Sequence, residues 1–219
     1  TTKKENKMSD LLSRLKKTST VQATEVLSKS KLFNTKDLCP TPVPILNVAL
    51  SGSIDGGLSS GLTVVAGPSK HFKSNLSLLM ASAYMEKHPD AVCLLYDTEF
   101  GITPEYLKSM NVDPERCLHT PVEHVEQLKF DVVRQLEAVE RGEKVVIVID
   151  SIGNLASKKE LEDALNEKSV ADMSRAKALK GLFRMVTPYL TTRDIPMLVI
   201  NHTYKEIGMF PKDIMSGGT

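Results

Sequence analysis

The sequence predicts an α/β fold with a mostly parallel central sheet flanked by helices. Three observations predict it. Short apolar runs rich in β-branched residues alternate with segments of helical periodicity, the pattern of strands joined by helical crossovers. One such run, residues 62–66, passes through a turn-rich stretch straight into the helix-like residues 76–80. The apolar runs also end in polar residues, and open parallel sheets place their ligands at the carboxyl ends of the strands.

Taken in order, residues 1–7 are a polar, charged leader ahead of Met8-Ser9-Asp10, either an added scar or an upstream extension, and are set apart from the fold. Residues 8–44 read as an N-terminal helix and linker. Leu11, Leu12, Leu15, Val26 and Leu27 recur there at partly helical spacing among Lys and Thr, in a segment too small to own a core, so it must dock on the main domain or a neighbouring subunit. Pro40, Pro42 and Pro44 enforce an extended connector, and the core is expected over residues 45–219. Gly52, Gly56, Gly57 and Gly61 predict a hairpin or turn pair before the first strand. A second buried strand follows at 91–97. Residues 122–141 form a helix with Val125, Leu128, Val132, Leu136 and Val139 on one face, stopped by Gly142. Residues 144–150 are a continuous β-branched run suited to a central parallel strand, and 195–201 are a fourth strand.

Composition narrows the class. The chain has 219 residues, 41% hydrophobic and 25% charged, enough for one sizeable core. A net charge of +1 means that any nucleic-acid binding must come from a local basic patch rather than a global field. Cys39, Cys93 and Cys117 have no C-x-x-C spacing and cannot all pair, which points to reduced thiols in a cytosol-like compartment. The longest purely apolar run, 145–149, is far shorter than a membrane span, and the N-terminus has no apolar signal region. A soluble, unexported chain without a membrane partner is expected.

The chemistry concentrates at the strand ends. Gly67-Pro68-Ser69-Lys70-His71-Phe72-Lys73-Ser74 lies between strand and helix, where a phosphate-binding loop presents backbone N–H groups to an anion. Lys73 stands where a lysine would reach β- and γ-phosphates, and Ser74 where a hydroxyl would ligate Mg²⁺, with Asn75 following. Phe72 departs from the usual pattern by replacing its second glycine, at a steric cost if its φ is positive. The alternative is a surface turn carrying a Lys-Ser pair. Asp150, ending the third strand, matches an aspartate that holds Mg²⁺ opposite Ser74, or else a helix N-cap. Glu99, past the second strand, is placed to activate water for attack on a γ-phosphate, or is a solvated loop acid. His202, at the end of the fourth, is placed to contact that phosphate or water, or is structural.

These motifs, in order, resemble those of the RecA-like strand-exchange recombinases, most closely the UvsX-type recombinases of tailed phages. The resemblance rests on residues 67–74, on 97–106 (Asp-Thr-Glu-Phe-Gly-Ile-Thr-Pro-Glu-Tyr), on 146–151 and on 199–202 with 207–210, and covers about 33–219. It implies a RecA-like P-loop NTPase core, with ATP and Mg²⁺ as cofactors and Glu99 as catalytic glutamate. It implies further that Tyr106 stacks on adenine and that His202 stands where bacterial RecA has a sensing glutamine. A core ending at Gly217-Gly218-Thr219 is expected to be incomplete at its C-terminus, so ATP-site residues supplied by a neighbouring protomer would lie outside it.

The resemblance also assigns surfaces. Arg175, Lys177, Lys180 and Arg184 would meet DNA phosphates, the last three on one helical face, with a solvated face as the alternative. Residues 203–219 resemble a mobile DNA-binding loop, with Tyr204, Lys205, Ile207, Met209, Phe210, Gly217 and Gly218 as contacts. Leu32 and Phe33 would anchor the N-terminal segment on an adjacent protomer, or cap their own core. The expectation is an ATP-dependent DNA recombinase in the cytoplasm, that of the host cell if phage-encoded. It would form a helical filament on single-stranded DNA, take duplex DNA as exchange partner, and work with a recombination mediator and a single-strand-binding protein. The rivals are a RecA-fold motor or assembly ATPase without strand exchange, and a non-catalytic paralogue.

Overall fold

A computed structural model describes residues 2–21, 24–30, 37–166, 173–205 and 213–215. The elements are α1 (Thr2–Thr18), α2 (Pro44–Ser51), β1 (Gly61–Gly67), α3 (Lys73–Lys87), β2 (Val92–Asp97), α4 (Pro104–Ser109) and β3 (Cys117–Pro121), followed by α5 (Val125–Ala138), β4 (Val145–Asp150), α6 (Lys158–Leu165), α7 (Ser174–Thr192), β5 (Pro196–Lys205) and β6 (Asp213–Met215). Two compact units divide the chain, Thr1–Lys36 and Asp37–Thr219.

The sheet of the larger unit runs β1-β5-β4-β2-β3, parallel throughout, with β6 antiparallel on the far end of β5. β4 is buried at every position, as its β-branched run requires of a central strand. Its side chains alternate between two cores. Ile147 and Ile149 pack with Leu128, Val132 and Leu136 of α5 and Leu182, Val186 and Leu190 of α7. Val146 and Val148 pack on the opposite face with Leu78, Met80 and Tyr84 of α3 and Leu107 of α4. Register then fixes the site: Asp97 lies beside Asp150, and Gly67 beside His202. The polar tips of β1, β2, β4 and β5 therefore share one edge of the sheet.

Several boundaries differ from the sequence reading. α1 includes residues 2–7, which the sequence reading set apart, and Met8, Leu11, Leu12 and Leu15 are exposed on it. Residues 37–44 pack in the core unit rather than acting as linker: Cys39 is fully buried and forms a bridge with Leu58, and Asn47 binds the backbone of Thr41 on both sides. The expected hairpin at Gly52–Gly61 is instead the end of α2 and a return path. Gly52 caps the helix at φ 76°, and Gly57 at φ 114° passes so close that a Cβ there would lie 2.2 Å from the Cys39 carbonyl oxygen. α5 stops at Ala138, before Gly142, where the Arg193 guanidinium takes up the carbonyls of Leu136 and Val139. Leu32 and Phe33, the expected protomer anchors, lie outside the described residues.

Candidate functional site

β1 delivers the chain into a loop whose backbone is unusual at two residues. Lys70 (φ 62°) and Phe72 (φ 55°) both adopt the left-handed region, an arrangement that lets successive N–H groups converge on an anion ahead of a helix N-terminus. For Phe72 this conformation costs about 1–2 kcal/mol relative to glycine, and its ring returns nothing by burial, being 73% exposed. α3 begins at once with Lys73. Its side chain is buried along the loop and its Nζ donates to the Pro68 carbonyl at 2.6 Å, inside the curl of the loop.

Opposite the loop, the Ser74 hydroxyl donates to Oδ2 of the buried Asp150 at 2.5 Å. Burial pushes the Asp150 carboxyl above its usual range; the Ser74 hydrogen bond pulls it down, while the nearby Glu99 and Asp97 charges push it further up. A hydroxyl against a buried carboxylate whose charge is disfavoured is a donor set that suits a hard divalent cation, which would relieve that penalty. Mg²⁺ fits these residues.

Glu99 sits in a web built by three strands. Asp97, almost fully buried, accepts the backbone N–H groups of Glu99 (3.1 Å) and Phe100 (2.7 Å) and so fixes the turn that carries the glutamate. Its other oxygen lies 3.2 Å from His119 Nε2. Thr98 Oγ1 donates to the Ser151 carbonyl at 2.7 Å and accepts the Ser151 N–H at 3.0 Å, which aims the Ser151 hydroxyl at Glu99 Oε1, 2.8 Å away. His202 Nε2 meets the same oxygen at 2.6 Å. Burial alone would raise the Glu99 carboxyl, but the His202 and Ser151 hydrogen bonds and the attraction of His202 and Lys73 outweigh it, so Glu99 sits below its usual range. The Asp150–Ser151 peptide is cis.

A cleft of about 450 Å³ opens over these groups. Ser69 through Asn75, Glu99, Tyr106, Asp150 and His202, all expected from the sequence, line it. Gly67 ends β1 beneath it, and Pro68 contributes the carbonyl that holds Lys73. Tyr106 is brought there by α4, whose N-cap Thr103 accepts the Tyr106 N–H at 3.2 Å. Gly101, Ile102 and Ile200 also line the cleft and were missed. So were the roles of Thr98 and Ser151, whose only signal was the polar ending of β2 and β4.

Of the residues expected to meet DNA, Lys177, Lys180 and Arg184 are exposed on α7, away from the face that buries Leu179, Leu182, Val186 and Leu190. Arg175 is engaged differently. Its guanidinium donates to the carbonyls of Leu155 (2.6 Å), Ile152 (2.7 Å) and Gly153 (2.9 Å), tying α7 to the loop after β4. Tyr204 and Lys205 are exposed at the end of β5. Ile207, Met209, Phe210, Gly217 and Gly218 lie outside the described residues.

Among the described residues, no helix is long and apolar enough to cross a membrane. The profile of the RecA N-terminal domain matches residues 7–218. The chain is 63% identical over 97% of its length to the "Recombination and repair protein" of Enterobacteria phage T4, covering 54% of that protein. It is 30% identical to "Protein RecA" of Streptomyces avermitilis and 29% identical to that of Streptomyces rimosus, over 79% of this chain and 44% of each relative. The chain thus spans about half the length of the curated relatives it matches. With its motifs in order along a parallel sheet, their polar ends on one edge, and a family match over nearly every residue, the chain belongs to the RecA N-terminal domain family.

Proposed function

We propose that this chain is the ATPase core of a DNA recombinase that forms a helical filament on single-stranded DNA and promotes pairing and strand exchange with duplex DNA. The observation that carries the reading is the convergence of Lys73, the Ser74–Asp150 pair and the Glu99–His202 pair around one cleft. The names of the phage and bacterial relatives support the recombination context.

In this reading the loop N–H groups and Lys73 bind the ATP phosphates. Ser74 and Asp150 would hold Mg²⁺, which would supply positive charge against the phosphates. Tyr106 stacks on the adenine. Glu99 accepts a proton from the water that attacks the γ-phosphorus, and ADP leaves with the bridging oxygen. His202 directly precedes the β5 residues that pair with β6, so making or breaking its hydrogen bond to Glu99 can report nucleotide state along β5 to residues 203–219. Lys177, Lys180, Arg184, Tyr204 and Lys205 contact DNA. A mediator and a single-strand-binding protein in the host cytoplasm complete the setting.

The test is the ATPase rate of the chain with and without single-stranded DNA, together with electron microscopy of the mixture. Stimulation by single strands and helical filaments are expected. Duplex unwinding without filament formation would favour the motor reading instead.

A further inference from the structure

At the end of α3 opposite the nucleotide loop, Asp37, Cys39 and His88 bring a carboxylate oxygen, a sulfur and an imidazole nitrogen within 4.8 Å of one another. The backbone fixes both sides of this cluster. Cys39 exchanges hydrogen bonds with Leu58 (2.8 and 2.9 Å), and only glycine at position 57 allows that close approach. His88 donates its N–H to the Tyr84 carbonyl at 2.9 Å, and its own carbonyl accepts from Ala91 N–H at 2.9 Å and Arg116 Nη2 at 2.8 Å.

A second observation points to a cation. His88 Nε2 is shut off from water and, among the described residues, has no hydrogen-bond partner, although it lies 2.7 Å from Asp37 Oδ2. The contact lacks hydrogen-bond geometry, so the imidazole nitrogen and the carboxylate are held against one another, beside the buried Cys39, without a proton shared between them. The Tyr84 hydroxyl, whose ring tilts against His88 at 4.7 Å between centroids, is likewise buried without a partner among the described residues.

We propose that Asp37, Cys39 and His88 form a binding site for a borderline divalent transition-metal cation, Zn²⁺ foremost, with water in the fourth position. Three donors of N, O and S type, two of them anionic when bound, match the ligand chemistry and the charge of Zn²⁺. Burial, with Asp37 next, pushes the Cys39 thiol up to about 11, so the metal-free site holds a neutral thiol. Binding breaks that S–H bond, forms the S–Zn bond and releases the proton to solvent. Lys87 and Lys144 also contact Asp37 and compete with the cation; both side chains are partly exposed and can swing into water. A bound cation would clasp residues 37–39 to the C-terminal end of α3, the helix whose first residue is Lys73.

The experiment titrates the reduced 219-residue chain with Zn²⁺ against a chromophoric chelator, and with Co²⁺ while following absorbance. One equivalent of Zn²⁺, a thiolate-to-Co²⁺ charge-transfer band and a Tm raised by Zn²⁺ are expected. Cys39→Ser should remove the band, His88→Ala should weaken Zn²⁺ binding about tenfold or more, and Asp150→Asn should leave both signals intact. Lys87→Ala should tighten binding, and this arm holds even if Cys39→Ser fails to fold. The absence of a thiolate band in the unmodified chain, or Zn²⁺ binding that Lys87→Ala and His88→Ala both leave unchanged, would overturn the site and leave an Asp37–His88 ion pair.

Discussion

Glu99 and His202 meet across β4. Oε1 of Glu99, just past β2, lies 2.6 Å from Nε2 of His202 on β5, although β4 separates the two strands in the sheet. The pairing exists because the chain after β4 contributes no side chain at Gly153: a Cβ there would lie 2.3 Å from His202 Cδ2 and 3.0 Å from its Cβ.

Gly153→Ala should therefore push the imidazole off Glu99 while leaving the loop around Lys73 untouched. Without that hydrogen bond the carboxyl rises toward its usual range. The expected result is near-normal nucleotide affinity with turnover that responds less to single-stranded DNA. Parallel measurements of nucleotide Kd and DNA-stimulated kcat check it, and a variant that loses affinity while keeping its DNA response would refute it.

Glu99→Gln keeps the shape and can still bond Ser151 and His202, but it cannot accept a proton. Turnover should fall by about 10²–10⁴-fold with ATP still bound, which single-turnover kinetics and equilibrium nucleotide binding separate. Weak binding with unchanged kcat would reverse the assignment.

Lys73→Ala removes the cation held inside the loop, so binding itself should be lost. The folded variant should retain its circular dichroism spectrum. Near-normal hydrolysis in that protein would remove the P-loop from the site.

Asp150 offers a stability test with a definite sign. Its folded carboxyl is raised above the unfolded value, so the native state binds the proton more tightly. Stability then falls as pH rises from the unfolded pKa through the folded one. Asp150→Asn should raise the Tm of the nucleotide-free chain near neutral pH, most clearly above that window, while Mg²⁺-dependent hydrolysis is lost. Thermal melts across pH check it: a variant less stable than the parent at neutral pH and no less stable in acid would contradict the sign.

The sheet and the cleft were legible because each depends on local pattern. β4 is a β-branched run, and each major strand ends in a polar tip. β3 was not legible: Cys117–Pro121 is a short edge strand, mostly exposed, that carries a histidine and ends in proline. α2 was hidden by the glycines that follow it, and α4 has only six residues. The Glu99–His202 and Glu99–Ser151 hydrogen bonds could not be read, because they depend on the register of β2, β4 and β5 across 103 and 52 residues of chain. The engagement of Arg175 was hidden for a related reason. Charge spacing says which face a residue occupies, but not that backbone carbonyls wait beneath it.

That distinction separates Arg175 from its neighbours on α7. Arg175→Ala leaves the carbonyls of Ile152, Gly153 and Leu155 without their donor and should cost roughly 2–3 kcal/mol of stability, with little change in the salt dependence of DNA binding by the folded fraction. Lys177, Lys180 and Arg184 are exposed, and replacing all three with Ala should leave stability nearly unchanged. If they meet phosphates, single-strand affinity should fall and the slope of log K against log salt should flatten by about 0.7 for each phosphate no longer neutralised. Nucleotide binding without DNA should survive in the triple variant. An unchanged salt slope there would make this face of α7 merely solvated and move the phosphate-binding surface to the end of β5, where Tyr204 and Lys205 stand exposed.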